Sequence, residues 1–139
     1  MATTSESGAG DNRPLSPFLW HWRWHLSMLT SILHRIMGVA LSFGMIFLAA
    51  WFVSAAMGPE AYAVFQRAAG HPIGLVVLFG FTFAAVYHTI SGIRHLCWDA
   101  GIGFGREKLW PVSVLVIFSA VAVTVLIWVA AYAWRGGAL

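Results

Sequence analysis

Charge is what this chain has least of: Asp, Glu, Lys and Arg together make up 9% of its 139 residues, against about a quarter in an ordinary soluble domain. With 60% of the residues hydrophobic, that scarcity excludes a soluble globular domain and implies a membrane protein. Cys97 is the single cysteine, which rules out an internal disulfide or a thiolate metal cage within the chain; it reads as a small apolar filler. No G-x-G-x-x-G motif is present. Gly101, Gly103 and Gly105 look like part of a phosphate-binding loop, but no strand of a βαβ unit precedes them, so they read as a flexible turn between two spans. No internal repeat is evident. The eight basic residues leave a net charge of +3, yet they sit singly at the ends of apolar runs and not on one soluble face, which argues against nucleic acid as a partner.

What is present is three stretches free of Asp, Glu, Lys and Arg: Ile36 to Pro59, Ala68 to Ile93 and Leu109 to Trp134. Each is long enough to cross the hydrocarbon as a helix, which takes about 20 residues. A transmembrane barrel would need alternating segments of about 10 residues, and these runs do not alternate. The expected fold is therefore an all-α membrane protein with three transmembrane helices, spanning approximately 30–57, 72–98 and 109–134 within one anchor domain, 13–139. Between the first two spans, Pro59 is well placed to open a short helix on the outer surface.

Met1 to Asn12 hold two acids and no base, unlike a secretory signal or an Arg-rich transit peptide; residues 1–12 read as a disordered cytoplasmic tail on a bacterial protein. Arg13, Arg23 and Arg35 gather at the N-terminal flank, and Arg94, Arg106 and Lys108 flank the second connection, against Arg67 and Arg135 on the other two flanks. The positive-inside rule then puts the N-terminus and the Gly101–Lys108 loop in the cytoplasm and the C-terminus in the periplasm. Trp20, Trp22, Trp24, Trp98, Trp110, Trp128 and Trp134 lie near span ends, as interfacial belts require.

Two polar stripes interrupt the apolar runs. Ser31, His34, Arg35, Gly38 and Ser42 share one face of the first span by helical spacing, and His88, Gly92, His95 and Asp99 share one face of the second. Ionisable side chains at membrane depth are costly and mark a site by default. A neutral imidazole such as His88 is a good iron ligand, and Gly92, one turn along, leaves room for a flat macrocycle. His34 and Arg35, from another helix, suit its carboxylates. Alternatively, His88 hydrogen-bonds a carbonyl or hydroxyl of a neighbouring helix. Ser31 and Arg35 offer a hydroxyl donor and a permanent cation to the carbonyl oxygens of a quinone, or else form a helix-capping serine and a snorkelling arginine. Arg94 points away from the His88 stripe and, with Asp99, reads as a structural salt bridge. A haem-free bundle conducting protons or solutes through His88, His95 and Asp99, and an anchor without any cofactor, also remain open.

Arg13-Pro14-Leu15, Leu19, Leu26 and Ser31-x-x-His34-Arg35, followed by His88-x-x-x-Gly92-Ile93-Arg94-His95-Leu96-x-Trp98-Asp99-x-Gly101, resemble both signatures of the cytochrome b556 membrane-anchor subunits of succinate dehydrogenase. The resemblance runs from Arg13 through the third span, which contributes only length and hydrophobicity. It implies that His88 is an axial ligand of haem b, with the second axial histidine supplied by a companion small anchor subunit. It implies further that Ser31 and Arg35 lie at a ubiquinone pocket, that His34 and Arg35 lie near the haem propionates, and that His95 is a propionate or supporting residue. The implied bundle is shared with the companion anchor, beneath a flavoprotein subunit and an iron-sulfur subunit that oxidise succinate and pass electrons to ubiquinone, in the bacterial inner membrane and among its lipids. A fumarate reductase anchor is the nearest variant, and assembly into a trimer of heterotetramers is left open. The sequence departs from the pattern at Met37, where Thr or Ser is expected, and at Phe18, where a histidine is common.

Overall fold

The computed structural model describes residues 23–103 and 105–137. Residues 1–12, Arg13 to Leu15 and Phe18 lie outside that range, as does the side chain of Arg106. Four α-helices account for nearly all of it: α1 (Leu26–Ala56), α2 (Pro59–Gly70), α3 (Pro72–Asp99) and α4 (Leu109–Gly137), with a single 3-10 turn, Arg106–Lys108, leading into α4. Among the described residues there is no strand. Helices α1, α3 and α4 are long and apolar enough to cross a membrane. At 1.5 Å per residue the 31 residues of α1 extend about 46 Å, longer than a hydrocarbon core of about 30 Å. Its polar first turns can therefore reach the interface.

Proline sets two of the helix starts. Pro59 and Pro72 each open a helix, where a missing N–H costs nothing and φ is already helical. His71, between α2 and α3, caps α3 by accepting a hydrogen bond at Nδ1 from the Ile73 N–H, 3.3 Å away. The short helix anticipated at Pro59 is α2. After α3, Gly101 (φ 76°) and Gly103 (φ 87°) take left-handed backbone conformations, which side chains with a Cβ disfavour, and the chain turns back into α4.

Helix α3 runs antiparallel to both neighbours, as contacts with α1 (Thr30 to Arg94, Phe47 to Phe81) and with α4 (Ser113 to Arg94, Trp128 to Phe79) require. A small apolar core of Tyr87, Val116 and Ala120 lies between the helices, with Leu33, Met37, Phe83, Val86, Ile90 and Ile117 packed around it. The rest of the buried set is Ala84 and five polar residues: Thr30, Ser91, Arg94, Ser113 and Thr124. Small and hydroxylated residues inside, large apolar residues outside, is the arrangement a lipid solvent favours, since helix association there rests on close packing and interhelical hydrogen bonds. Met37 faces this core, so the position where a hydroxyl is usual makes apolar contacts here.

Two expectations from sequence are revised. Trp128 does more than sit in an interfacial belt, for its indole N–H donates to the Thr82 hydroxyl at 3.2 Å and ties α4 to α3. Trp98 lies under the Arg94 guanidinium, 4.8 Å from the ring centroid. Cys97, expected to fill a gap, is exposed on the outside of α3.

Candidate functional site at the α1–α3 crossing

The antiparallel crossing of α1 and α3 brings three histidines into one stack. The His34 ring lies 4.1 Å from that of His88, with 14° between their planes, and 5.0 Å from that of His95, with 20° between planes. Nearly parallel rings do not converge their lone pairs on one ion. Consistent with that, no group of three or more His, Cys, Asp or Glu among the described residues could hold a metal ion. The stack offers single imidazole nitrogens instead of a three-ligand cage.

The hydrogen bonds of the stack fix which nitrogens are available. His88 Nδ1 lies 3.2 Å from the backbone carbonyl of His34, and a carbonyl only accepts, so Nδ1 carries the proton and Nε2 keeps its lone pair. His95 is arranged the same way, with Nδ1 2.7 Å from the carbonyl of Ser91. Such an Nδ1–H···O=C bond sets tautomer and ring orientation in metal-ligating histidines and raises the basicity of the other nitrogen. His34 differs: its Nε2 is buried with no hydrogen-bond partner. A buried polar atom left unpaired is costly.

Two glycines shape the space. A Cβ on Gly38 would stand 3.1 Å from His88 Cε1, so the missing side chain is what lets the imidazole reach the α1 backbone. A Cβ on Gly92 would meet nothing within 4 Å: α3 is open to the outside one turn from His88, as a flat ligand lying against the helix would need. Of the remaining residues anticipated from sequence, Ser31 is half-buried and Arg35 exposed. Neither has a side-chain hydrogen bond to another described residue. Ser42, on the same stripe, is exposed and bonds back to the Gly38 carbonyl at 3.2 Å.

The expected Arg94–Asp99 salt bridge is not formed. Five residues apart on a helix, the two point about 140° from one another; Asp99 is exposed, whereas Arg94 is only 5% exposed. The guanidinium donates to three hydroxyls, Thr30 Oγ1 at 3.0 Å, Ser113 Oγ at 3.4 Å and Ser91 Oγ at 3.5 Å, on α1, α4 and α3 in turn. Beside it, the Tyr87 hydroxyl donates to the Thr30 carbonyl at 3.0 Å. Sequence reasoning passed over Thr30, Tyr87, Ser91 and Ser113. For Thr30, Ser91 and Ser113 the signal was present only as small polar residues inside apolar runs, and for Tyr87 as a hydroxyl on an aromatic ring within one.

Three apolar helices long enough to cross a membrane, with an imidazole held at Nδ1 by a carbonyl of the neighbouring helix, define a membrane-embedded helical bundle with a polar site at its α1–α3 crossing. A family model described as succinate dehydrogenase/fumarate reductase transmembrane subunit matches residues 10–133, and the chain belongs to that family. It is 38% identical over 115 residues to the succinate dehydrogenase cytochrome b556 subunit of Paracoccus denitrificans, covering 83% of this chain and 88% of that protein. The corresponding subunit of Rickettsia bellii is 35% identical over 119 residues, 86% of this chain and 93% of that protein. The mitochondrial succinate dehydrogenase cytochrome b560 subunit of Mus musculus is 36% identical over 121 residues, 84% of this chain and 70% of that protein.

Proposed function

We propose that this chain is the membrane-anchor cytochrome b subunit of a succinate:ubiquinone oxidoreductase, holding haem b and forming part of the site where quinone is reduced. The observation that carries the reading is the His88 Nδ1 contact with the His34 carbonyl at 3.2 Å, which leaves the Nε2 lone pair for a ligand. The residues fit the group: His88 Nε2 would hold the iron, and His34, Arg35 and His95 would hold the propionates. When bound, the haem supplies a one-electron centre.

The three stacked histidines do not converge on one ion, and the family resemblance implies that a companion anchor subunit would supply a second histidine to the haem. Ser31 donates a hydrogen bond to one quinone carbonyl oxygen, and the permanent charge of Arg35 stabilises negative charge gathering there as electrons arrive. The electrons come from a flavoprotein subunit through an iron-sulfur subunit, neither of which a chain with one cysteine can replace. The names of the relatives favour the succinate-oxidising direction over fumarate reduction.

Residues 13–139 form the anchor domain, with residues 1–12 as a cytoplasmic tail. The protein is multi-pass in the bacterial inner membrane, N-terminus in the cytoplasm and C-terminus in the periplasm. That orientation puts Ser31, His34, Arg35 and His95 near the cytoplasmic interface, where an iron-sulfur partner docks. The test is a reduced-minus-oxidised visible spectrum of the complex purified through a tag on this chain, with succinate and then dithionite as reductants. A low-spin b-type signal that succinate elicits and His88→Leu abolishes is the expected result; an intact complex with no haem band refutes the assignment of His88.

A further inference from the structure

The histidine stack depends on the register between α1 and α3, and two side chains that converge on one residue hold that register. Thr30 is fully buried. Its carbonyl accepts from Tyr87 at 3.0 Å and its hydroxyl from Arg94 at 3.0 Å. Thr30 stands one helical turn before His34, whose carbonyl holds His88. Tyr87 is the residue next to His88, and Arg94 the one next to His95. Ser91 closes the cluster: its hydroxyl accepts from Arg94 and its carbonyl from His95 Nδ1.

We propose that Tyr87, Arg94 and Thr30 are positioning residues for the haem ligand, a lock whose two hydrogen bonds at Thr30 set how far α1 slides and rotates on α3, and so where the His34 carbonyl meets His88 Nδ1. The inference rests on the haem reading above. Arg94 suits the task because a planar fork of donors reaches acceptors on several helices at once. It holds α1, α3 and α4 together without any carboxylate among the described residues. Tyr87 contributes a bond from the residue next to the ligand, and its ring is only 1% exposed, so loss of the hydroxyl leaves the packing in place. A structural tie in general would tolerate a small slip. A tie next to an iron ligand would not, because the slip rotates the imidazole.

The experiment uses the whole complex with Tyr87→Phe and, separately, Thr30→Val, both of which keep shape while deleting polar contacts. Thr124→Val is the control: Thr124 is equally buried but bonds only the Ala120 carbonyl of its own helix, at 2.7 Å. The readouts are haem per complex and the electron paramagnetic resonance of the oxidised low-spin haem, which reports the orientation of the axial imidazoles. The lock predicts unchanged haem content with a low-spin signal shifted or split in Tyr87→Phe, the same in Thr30→Val if that variant assembles, and no shift in Thr124→Val. A signal in Tyr87→Phe identical to that of the unaltered complex overturns the proposal, as does an equal shift in the control. A complex whose haem signal is indifferent to His88→Leu removes the ligand assignment itself, a different failure that the unaltered protein and that variant alone reveal.

Discussion

Replacing Gly38 with alanine should weaken haem binding through a group that never touches the haem. The added methyl would stand 3.1 Å from His88 Cε1 and 3.5 Å from Nδ1, where ordinary contact begins at 3.4 Å. The imidazole must therefore retreat by about 0.3 Å. Its Nδ1···O separation is 3.2 Å, already at the long end for an N–H···O bond, and the retreat carries it to about 3.5 Å. Weakening that bond costs up to about 1 kcal/mol, at most roughly a fivefold loss of haem affinity. Helix propensity acts in the opposite sense, since alanine favours a helix over glycine by up to about 1 kcal/mol. Weaker haem binding thus cannot be blamed on a weaker helix. The assay is the rate of haem transfer from the purified complex to excess apomyoglobin, followed by the shift of the Soret band. Transfer at the unaltered rate, with an unaltered low-spin spectrum, would refute the claim that the close approach of Gly38 and His88 matters.

Other expectations follow from the same geometry. His88→Leu should eliminate the b-type signal while the complex still inserts, because the change makes α3 more apolar; membrane fractionation and a visible spectrum check it together. Ser31→Ala and Arg35→Lys should lower quinone reduction by succinate with haem content kept, and equal loss of haem and activity would undo the division of roles between α1 and α3. Thr82→Val strips the acceptor from the Trp128 indole and should cost about 0.6 kcal/mol of helix association, read as a slightly lower melting temperature in detergent with an unaltered haem spectrum.

Hydropathy alone announced α1, α3 and α4, and Pro59 announced α2, because a bilayer demands long apolar runs and proline prefers a first helical turn. The histidines were visible for the opposite reason, being polar where polarity is costly. What remained hidden was the inward face. In a helix apolar on every side there is no amphipathic contrast to point at the core, so nothing distinguished Thr30 from Ser31, its neighbour, although one is buried and the other half-exposed. Arg94 shows the same difficulty: its five-residue distance from Asp99 invited a salt bridge, while two of its three acceptors lie 64 and 19 residues away on α1 and α4, beyond anything local spacing can suggest. The stacking of His34 on His88 likewise depends on the crossing of two helices, and Gly38 acquires its meaning only there.

Helix α1 carries Ser31, His34 and Arg35 but is the least enclosed of the three spans, with Thr30 its one buried residue and none in its most apolar stretch. A copy that has not yet met its neighbours therefore presents the membrane with a loosely gripped helix bearing an exposed arginine. The helix that carries Ser31, His34 and Arg35 is thus also the one with most of its surface left for a neighbour to cover.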